Sequence, residues 1–170
     1  VKVVMITGDN RDRATHIAEE CGIYKPSEGN ICIDCEELHK MSDSEVKALL
    51  PDVRVVSRAL PQDKTRLVRL SQEMGLVAGM TGDGINDAPS LKLSDVGFAM
   101  GSGTDIAKSA GDVVILDNSI SAIGNTILYG RTIFKSIRKF ITFQLIMNLA
   151  ACGISLIGQF VGVENPITIV

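Results

Sequence analysis

The sequence contains no tryptophan, and aromatic residues make up only 4% of its 170 residues. It also lacks an excess of charge of either sign, because 17 Lys and Arg residues stand against 20 Asp and Glu residues and leave a net charge of −3. Such a chain lacks the basic surface that binds a phosphate backbone, so we expect no nucleic-acid partner. Its length allows one domain of about 100 to 150 residues and an additional segment.

Cysteine is also scarce, with four residues in the chain. Cys32 and Cys35 form a single C-x-x-C pair, and His39 follows Cys35 by four residues. A zinc site requires four ligands, and a convincing case usually brings two such pairs. We therefore expect ordinary reduced cysteines in a reducing compartment, with zinc binding as the alternative.

Charged residues are missing altogether from residues 140–163, a run of 24 residues. At about 1.5 Å per residue, a helix of this length exceeds the hydrocarbon core of a bilayer, which is about 30 Å thick. Four basic residues precede the run: Arg131, Lys135, Arg138 and Lys139. The uncharged run predicts an integral membrane protein, and the basic residues before it predict that residues 1–139 lie on the cytoplasmic side. A buried helix of a soluble protein is the alternative.

Before this run, apolar strand patterns alternate with helical patterns. Strands are predicted at residues 1–6, 53–57, 76–80, 95–100 and 112–116. Helices are predicted within residues 11–21, 43–50, 58–74 and 103–110, whereas residues 25–40 are expected to be the least regular part. This alternation predicts the α/β class, with a parallel sheet covered by helices on both faces. The predicted parts are an α/β domain (1–118), a stalk helix (119–139), a transmembrane helix (140–163) and a loop that begins the next membrane segment (164–170).

The most informative stretch is residues 80–95, MTGDGINDAPSLKLSD, which follows a predicted strand. Asp83 lies between two glycines that let a large anion or a hydrated cation come close, and Asp87 follows four residues later. Two carboxylates on one loop at the carboxyl end of a strand suit Mg²⁺ that keeps several waters and shares a phosphate. Asn86 is predicted to cap the next helix, and Pro89 suits its first turn. The alternative is a glycine-rich turn with solvated acids.

Two other predicted strand ends carry groups that suit phosphate. Thr7, Gly8 and Asp9 follow the first strand, and the Thr7 hydroxyl and the Gly8 amide can donate to a phosphoryl group. For Asp9 alone, a helix cap is an equal alternative. Lys64 lies in the first turn of a predicted helix, where a cation is unfavourable unless an anion binds there. The alternative for Lys64 is a surface lysine paired with Asp63 or another nearby acid.

These motifs resemble those of P-type cation-transporting ATPases. The run TGDGINDAPSL at residues 81–91 is similar to the family's TGDGxNDxPAL, with Ser90 in place of alanine. PQDK at residues 61–64 resembles the lysine motif of the family, and TGD at residues 7–9 resembles a motif of its phosphorylation domain. Residues 95–116 resemble the same family. The resemblance implies a haloacid-dehalogenase-like (Rossmann-like) parallel sheet followed by a long helix that enters the membrane.

The resemblance also implies a mechanism in which an Asp takes the γ-phosphoryl group from ATP and forms an aspartyl phosphate. No D-K-T-G-T run, which carries that Asp in the family, occurs in the sequence. We therefore expect a fragment whose partners are the other domains of the same pump and which does not turn over ATP alone. The implied catalytic residues are Thr7, Gly8, Asp9, Lys64 and Asn86, and the implied Mg²⁺ ligands are Asp83 and Asp87.

Asn148 is the candidate ligand of the transported ion. When Gly130 and Arg131 are aligned with the corresponding pair of calcium pumps, Asn148 falls where an Asn side chain coordinates Ca²⁺. Ala151 then stands where reticulum-type calcium pumps have a Glu, a replacement that resembles plasma-membrane-type calcium pumps. The resemblance thus implies Ca²⁺ transport. The alternatives are an interhelical hydrogen bond by Asn148 and a pump for another cation.

Two other classes of protein fit parts of the sequence. A haloacid-dehalogenase-like phosphatase with a membrane anchor would carry a D-x-D-x run upstream and would hydrolyse small phosphoesters. A non-catalytic binding or anchoring module would have no upstream nucleophile at all.

Overall fold

The computed structural model describes residues 1–162. The chain divides into two compact units, Val1–Ser119 and the helical part that begins at Ile120. The loop predicted at residues 164–170 lies outside the described residues. The predicted borders of the four parts of the chain remain predictions.

The first unit contains two parallel sheets of three strands each. In the first sheet, the central strand β3 (Val53–Ser57) pairs with β1 (Met5–Ile6) on one side and with β2 (Ile31–Asp34) on the other. Three helices connect these strands: α1 (Arg11–Glu20), α2 (Cys35–Lys40) and α3 (Asp43–Leu49). Ser42 and Glu45 form a capping box that begins α3, as their spacing predicts.

The second sheet has β5 (Val96–Met100) at its centre, paired with β4 (Gly79–Gly82) and β6 (Val113–Ile115). Helix α4 (Pro61–Glu73) leads from β3 to β4 and therefore connects the two sheets. Two short helices complete the unit: α5 (Ala88–Leu93) and α6 (Asp105–Ala110). Helices join the successive parallel strands, and this confirms the predicted α/β class.

Apolar clusters lie on both faces of the first sheet. Because successive side chains of a strand point to opposite faces, Cys32 and Val55 face one cluster while their neighbours Ile33 and Val56 face the other. The first cluster is completed by Ala14 and Ala18 of α1. The second contains residues from α2, α3 and α4 as well as the strands: Ile33, Cys35, Leu38, Val46, Val53, Val56, Leu67 and Leu70. Helices therefore cover both faces, as predicted.

The segment expected to be irregular, residues 25–40, contains β2 and α2. The C-x-x-C spacing reflects the junction of these two elements, and it places Cys32 and Cys35 in clusters on opposite faces of the sheet. This geometry does not suit a shared metal site. Cys21 is exposed, because α1 ends at Glu20 and Gly22 turns the chain with φ of 70°.

Two strands differ from their predicted bounds by more than one residue. The strand before the acidic loop begins at Gly79 rather than at residue 76, because the chain leaves α4 through Gly75 with φ of 75° and only then reaches the register of β5. Leu76 and Val77 are consequently exposed. The first strand contains only Met5–Ile6, the two residues that pair with β3. Because β4 extends to Gly82, Asp83 is the first residue after that strand.

Up to residue 162, the second unit consists of one helix, α7 (Ile120–Val161), of 42 residues. By length and composition it is able to cross a membrane. At about 1.5 Å per residue it is about 63 Å long, roughly twice the thickness of the hydrocarbon core. The predicted stalk and the predicted span are therefore parts of one continuous helix up to Val161.

The environment of Cys35 predicts an unreactive thiol. Burial, followed by the nearby Asp63 carboxylate, raises the pKa of Cys35 from 9.0 to about 12. In the unfolded chain this thiol ionises near its ordinary pKa of 9.0. The stability that comes from burying the neutral thiol is therefore fully present below pH 9.0 and is lost as the pH rises to about 12. At about pH 8.5 we expect iodoacetamide to label exposed Cys21 and to spare Cys35, as read by peptide mass spectrometry. Equal labelling of the two in the folded chain would contradict this structure.

Candidate phosphate and metal site

The acidic loop after β4 is closely packed against its surroundings. A Cβ built on Gly82 would lie 2.8 Å from the Cγ of Asp87, so only glycine fits there. A Cβ on Gly103 would lie 2.7 Å from the carbonyl oxygen of Asp83. That carbonyl also accepts a hydrogen bond from the Thr104 amide at 2.9 Å. The loop is therefore held on one side by the segment that follows β5.

The buried carboxylate of Asp87 makes the central contact of the site. Its Oδ1 accepts a hydrogen bond from the ammonium group of Lys64 at 2.6 Å, and its Oδ2 accepts one from the Gly84 amide at 3.3 Å. The side chains of Lys64 and Asp87 are 20% and 10% exposed, so water screens the pair only weakly. This ion pair connects the start of α4 to the loop that follows β4.

The electrostatics of α4 explain why Lys64 needs this partner. Lys64 lies at the amino-terminal end of the helix, where the helix dipole disfavours a cation. Asp63 does not compensate it, because Asp63 accepts a hydrogen bond from the Leu60 amide at 2.8 Å and contacts His39. The compensating anion is Asp87. The structure thus brings together two predicted site residues, of which Lys64 follows a strand of the first sheet and Asp87 follows a strand of the second.

Asp83 provides a second carboxylate in the same loop. Its side chain is exposed, and within residues 1–162 no hydrogen bond or ion pair engages it. In the same residues no group of three or more His, Cys, Asp or Glu side chains is arranged to hold a metal. A cation at Asp83 and Asp87 would therefore take its other ligands from water and phosphate. That donor set fits Mg²⁺, which usually keeps several waters, and the Mg²⁺ assignment remains a prediction.

The loop after β1 carries Thr7, Gly8 and Asp9, and its polar side chains bond to one another. The Thr7 hydroxyl donates to Asp9 Oδ2 at 3.0 Å and accepts from the Asp9 amide at 3.1 Å. Helix α1 is capped by Asn10 rather than by Asp9, so the cap interpretation of Asp9 is wrong. The Ala59 amide donates to the Thr7 carbonyl at 2.9 Å, which places this loop beside the segment that enters α4. In residues 1–162 no side-chain hydrogen bond or ion pair joins it to Asp87, and its phosphate-binding role remains a prediction.

Two residues beside Asp87 differ from the sequence-based expectation: the prediction for Asn86 is wrong, and the contact made by Ser90 was not predicted. Asn86 is exposed and makes no capping hydrogen bond, so its predicted capping role is wrong. Pro89 lies in the first turn of α5, as predicted. Ser90 is buried, and its hydroxyl donates to the Asp87 carbonyl at 2.8 Å. A hydroxyl three residues after a helix cap is the signal by which this contact could have been found.

Comparison with protein families defines the class of this chain. A model described as a haloacid dehalogenase-like hydrolase matches residues 1–95, and a second with the same description matches residues 77–127. The first match covers more than half of the chain. The chain belongs to the haloacid dehalogenase-like hydrolase family.

Similar curated proteins define the resemblance more closely. "Calcium-transporting ATPase PAT1" of Dictyostelium discoideum is 44% identical over 93% of this chain and 14% of its own length. "Calcium-transporting ATPase 4, plasma membrane-type" of Arabidopsis thaliana is 41% identical over 100% of this chain and 16% of its own length. "Calcium-transporting ATPase 2" of Saccharomyces cerevisiae is 46% identical over 89% of this chain and 13% of its own length. These relatives confirm the resemblance to P-type cation-transporting ATPases, and the chain spans about one seventh of their length.

Solved structures agree with this result. A zinc-transporting PIB-type ATPase in its E2.Pi state has a TM-score of 0.65 and 29% identity over 95% of this chain and 21% of its own. The catalytic domain of the CPx-ATPase CopB-B has a TM-score of 0.55 and 27% identity over 74% of this chain and 38% of its own. The predicted fold, a haloacid-dehalogenase-like domain followed by a long apolar helix, is confirmed.

Replacing Asp87 with Asn would leave the Lys64 ammonium group mostly buried without a counter-charge. We expect the free energy of unfolding to fall by about 2 kcal/mol, which is less than for a fully buried pair because both side chains keep some contact with water. Denaturant titration of the chain in detergent measures this change. The matched control is Asp52→Asn at an exposed acid, where we expect a change below about 0.5 kcal/mol. Equal stability of the two variants would contradict the role of the pair.

Proposed function

We propose that this chain forms part of the phosphorylation site of an ATP-driven calcium pump, together with a helix that carries the chain into the membrane. The observation that carries the proposal is the ion pair of Lys64 and Asp87 at 2.6 Å, in the loop that also presents the free carboxylate of Asp83. An ammonium group and two carboxylates at the ends of parallel strands suit a metal-bound phosphoryl group. The names of the relatives, which specify calcium transport, support the choice of ion.

Each side chain of the site has a distinct task in this proposal. Asp87 holds the Lys64 ammonium group at the start of α4. From that position the ammonium group binds a phosphoryl oxygen. Asp83 and Asp87 would hold Mg²⁺, which when bound neutralises negative charge on the transferring group. The Thr7 hydroxyl and the Gly8 amide donate to the remaining oxygens. Rate enhancement then comes from alignment and charge stabilisation.

The Asp that accepts the phosphoryl group from ATP would come from another part of the parent protein. Within residues 1–162, β1 pairs only with β3 and β4 pairs only with β5, so each sheet has a free edge on that side. Val3 and Val77, close to these edges in the chain, are 54% and 82% exposed. A parental strand that pairs with these edges would cover them and present its carboxyl end to Lys64. The other domains of the pump would thus be obligatory partners.

The transported ion would pass Asn148. In α7 the Gln144 amide donates to the Asn148 Oδ1 at 3.3 Å, so two polar side chains share one face of an apolar helix. Polar groups at membrane depth usually face a helix bundle or a water-filled path. We propose that the ion is Ca²⁺ and that residues 1–139 lie on the cytoplasmic side, where the basic residues before the span favour them. The zinc-transporting structural relative makes another cation the second candidate, and the relatives do not favour a phosphatase.

Replacing Asp83 with Asn in the full-length parent tests the metal role. Because the amide is a neutral and weaker ligand than the carboxylate, we expect phosphoenzyme formation from radiolabelled ATP to fall by at least about a hundredfold. Asp105→Asn, at an exposed acid in α6, is the matched control and should behave as wild type. Normal phosphorylation of the Asp83 variant would rule out this role for Asp83.

Replacing Asn148 with Ala separates ion binding from phosphate chemistry. We expect phosphorylation from inorganic phosphate to be retained and the Ca²⁺ concentration for half-maximal activation to rise by about tenfold, because one neutral ligand is lost. Asn125→Ala, on the same helix outside the span, serves as control. An unchanged Ca²⁺ dependence would remove Asn148 from the ion path.

A further inference from the structure

A polar cluster lies one residue before Lys64 and is not part of the acidic loop. Its centre is Asp63, which is 3% exposed. The Asp63 Oδ2 accepts a hydrogen bond from the Leu60 amide at 2.8 Å, and its Oδ1 lies 2.5 Å from His39 Nε2. The Cys35 thiol lies near the Asp63 carboxylate, which helps to raise the pKa of Cys35. One buried carboxylate therefore joins the first turn of α4 to two residues of α2.

The three partners of Asp63 keep it ionised. Burial raises the pKa of Asp63, but the Leu60 amide, His39 and the Cys35 thiol outweigh burial and lower that pKa below its usual value. The Cys35 thiol remains neutral in turn, because burial raises its pKa to about 12. His39 is the one partner able to carry positive charge, and it lies in the last turn of α2, where the helix dipole favours a cation.

The end of α2 is attached to α4 independently of His39. The Arg66 guanidinium donates to the carbonyl oxygens of Leu38 and Met41, each at 2.9 Å, and to the Asp43 carboxylate at 2.7 Å. The His39 side chain is 48% exposed, so its removal leaves little empty space in the core. Loss of His39 should therefore leave α2 in place and change mainly the restraint on Asp63.

We propose that His39 is a positioning residue for Lys64 and acts through Asp63, an inference that rests on the proposed function. Asp63 fixes the first turn of α4 by bonding back to the Leu60 amide, and Lys64 is the next residue in that turn. A charge-assisted contact from His39 restrains the carboxylate from outside α4. When this restraint is lost, the turn frays and the ammonium group moves relative to Asp87 and to a bound phosphoryl group.

The test compares His39→Leu, His39→Gln and His16→Leu in the full-length parent. His16 is the matched control, because it is an exposed histidine on α1 that lies 3.5 Å from Glu20. For each variant the measurements are the rate of phosphoenzyme formation at saturating ATP, the KM for ATP and the unfolding temperature. We expect His39→Leu to lower the rate by about tenfold without changing the KM or the unfolding temperature, because only the alignment of Lys64 is altered.

The milder variant and the control decide between positioning and structural roles. We expect His39→Gln to show an intermediate rate, because its more flexible amide still donates to Asp63, and His16→Leu to equal wild type. A wild-type rate in His39→Leu would overturn this inference and leave the proposed function intact. The inference would also be overturned if His16→Leu lost rate to the same extent. It would be overturned as well if both His39 variants lost rate only in proportion to a loss of folded protein. Absence of any phosphoenzyme in the wild type would overturn the proposed function and this inference together.

Discussion

The neutralisation of Lys64 by Asp87 is the interaction on which the site depends. A lysine ammonium group at the amino-terminal end of α4 opposes the helix dipole, and without a buried anion beside it the group would turn toward water. The position of Asp87 depends in turn on the absence of a side chain at Gly82 and on the hydroxyl of Ser90, which bonds to the Asp87 carbonyl at 2.8 Å. The packing of Gly82 and Ser90 around Asp87 therefore determines the position of the Lys64 ammonium group as much as α4 does.

The two acids of the loop differ in the property that matters for metal binding. The Asp87 carboxylate is buried and already bonded to Lys64 and to the Gly84 amide, whereas the Asp83 carboxylate is exposed and has no partner in residues 1–162. Asp87 organises the site in addition to its proposed role as a Mg²⁺ ligand, whereas Asp83 is the acid without a protein partner in the described residues. This arrangement lets a charged site persist before any phosphate arrives, because the buried charges compensate each other and the exposed charge is solvated.

Parts of this structure were predictable because local patterns decide them. The strand Val53–Ser57 was predicted with its observed bounds, since its three valines favour a strand without regard to distant partners. Strand β2 was missed because it has only four residues, and Cys32 and Asp34 become buried only through contacts with α1 and β3. The sequence indicated that Lys64 and Asp87 follow strand ends, and pairing of Lys64 with Asp63 or another nearby acid was the alternative. Only the fold decides between them, because the order of strands across the sheets sets which loops meet.

The most direct measurement of the central claim is the position of the metal in the full-length parent. Crystals with Mn²⁺ in place of Mg²⁺ and a phosphate analogue at the acceptor Asp would locate the ion by anomalous scattering. The account predicts a peak within about 2.5 Å of a carboxylate oxygen of Asp83, with the Lys64 ammonium group in contact with the phosphate analogue. A peak at the analogue with Asp83 outside its ligand sphere would contradict the proposed metal site.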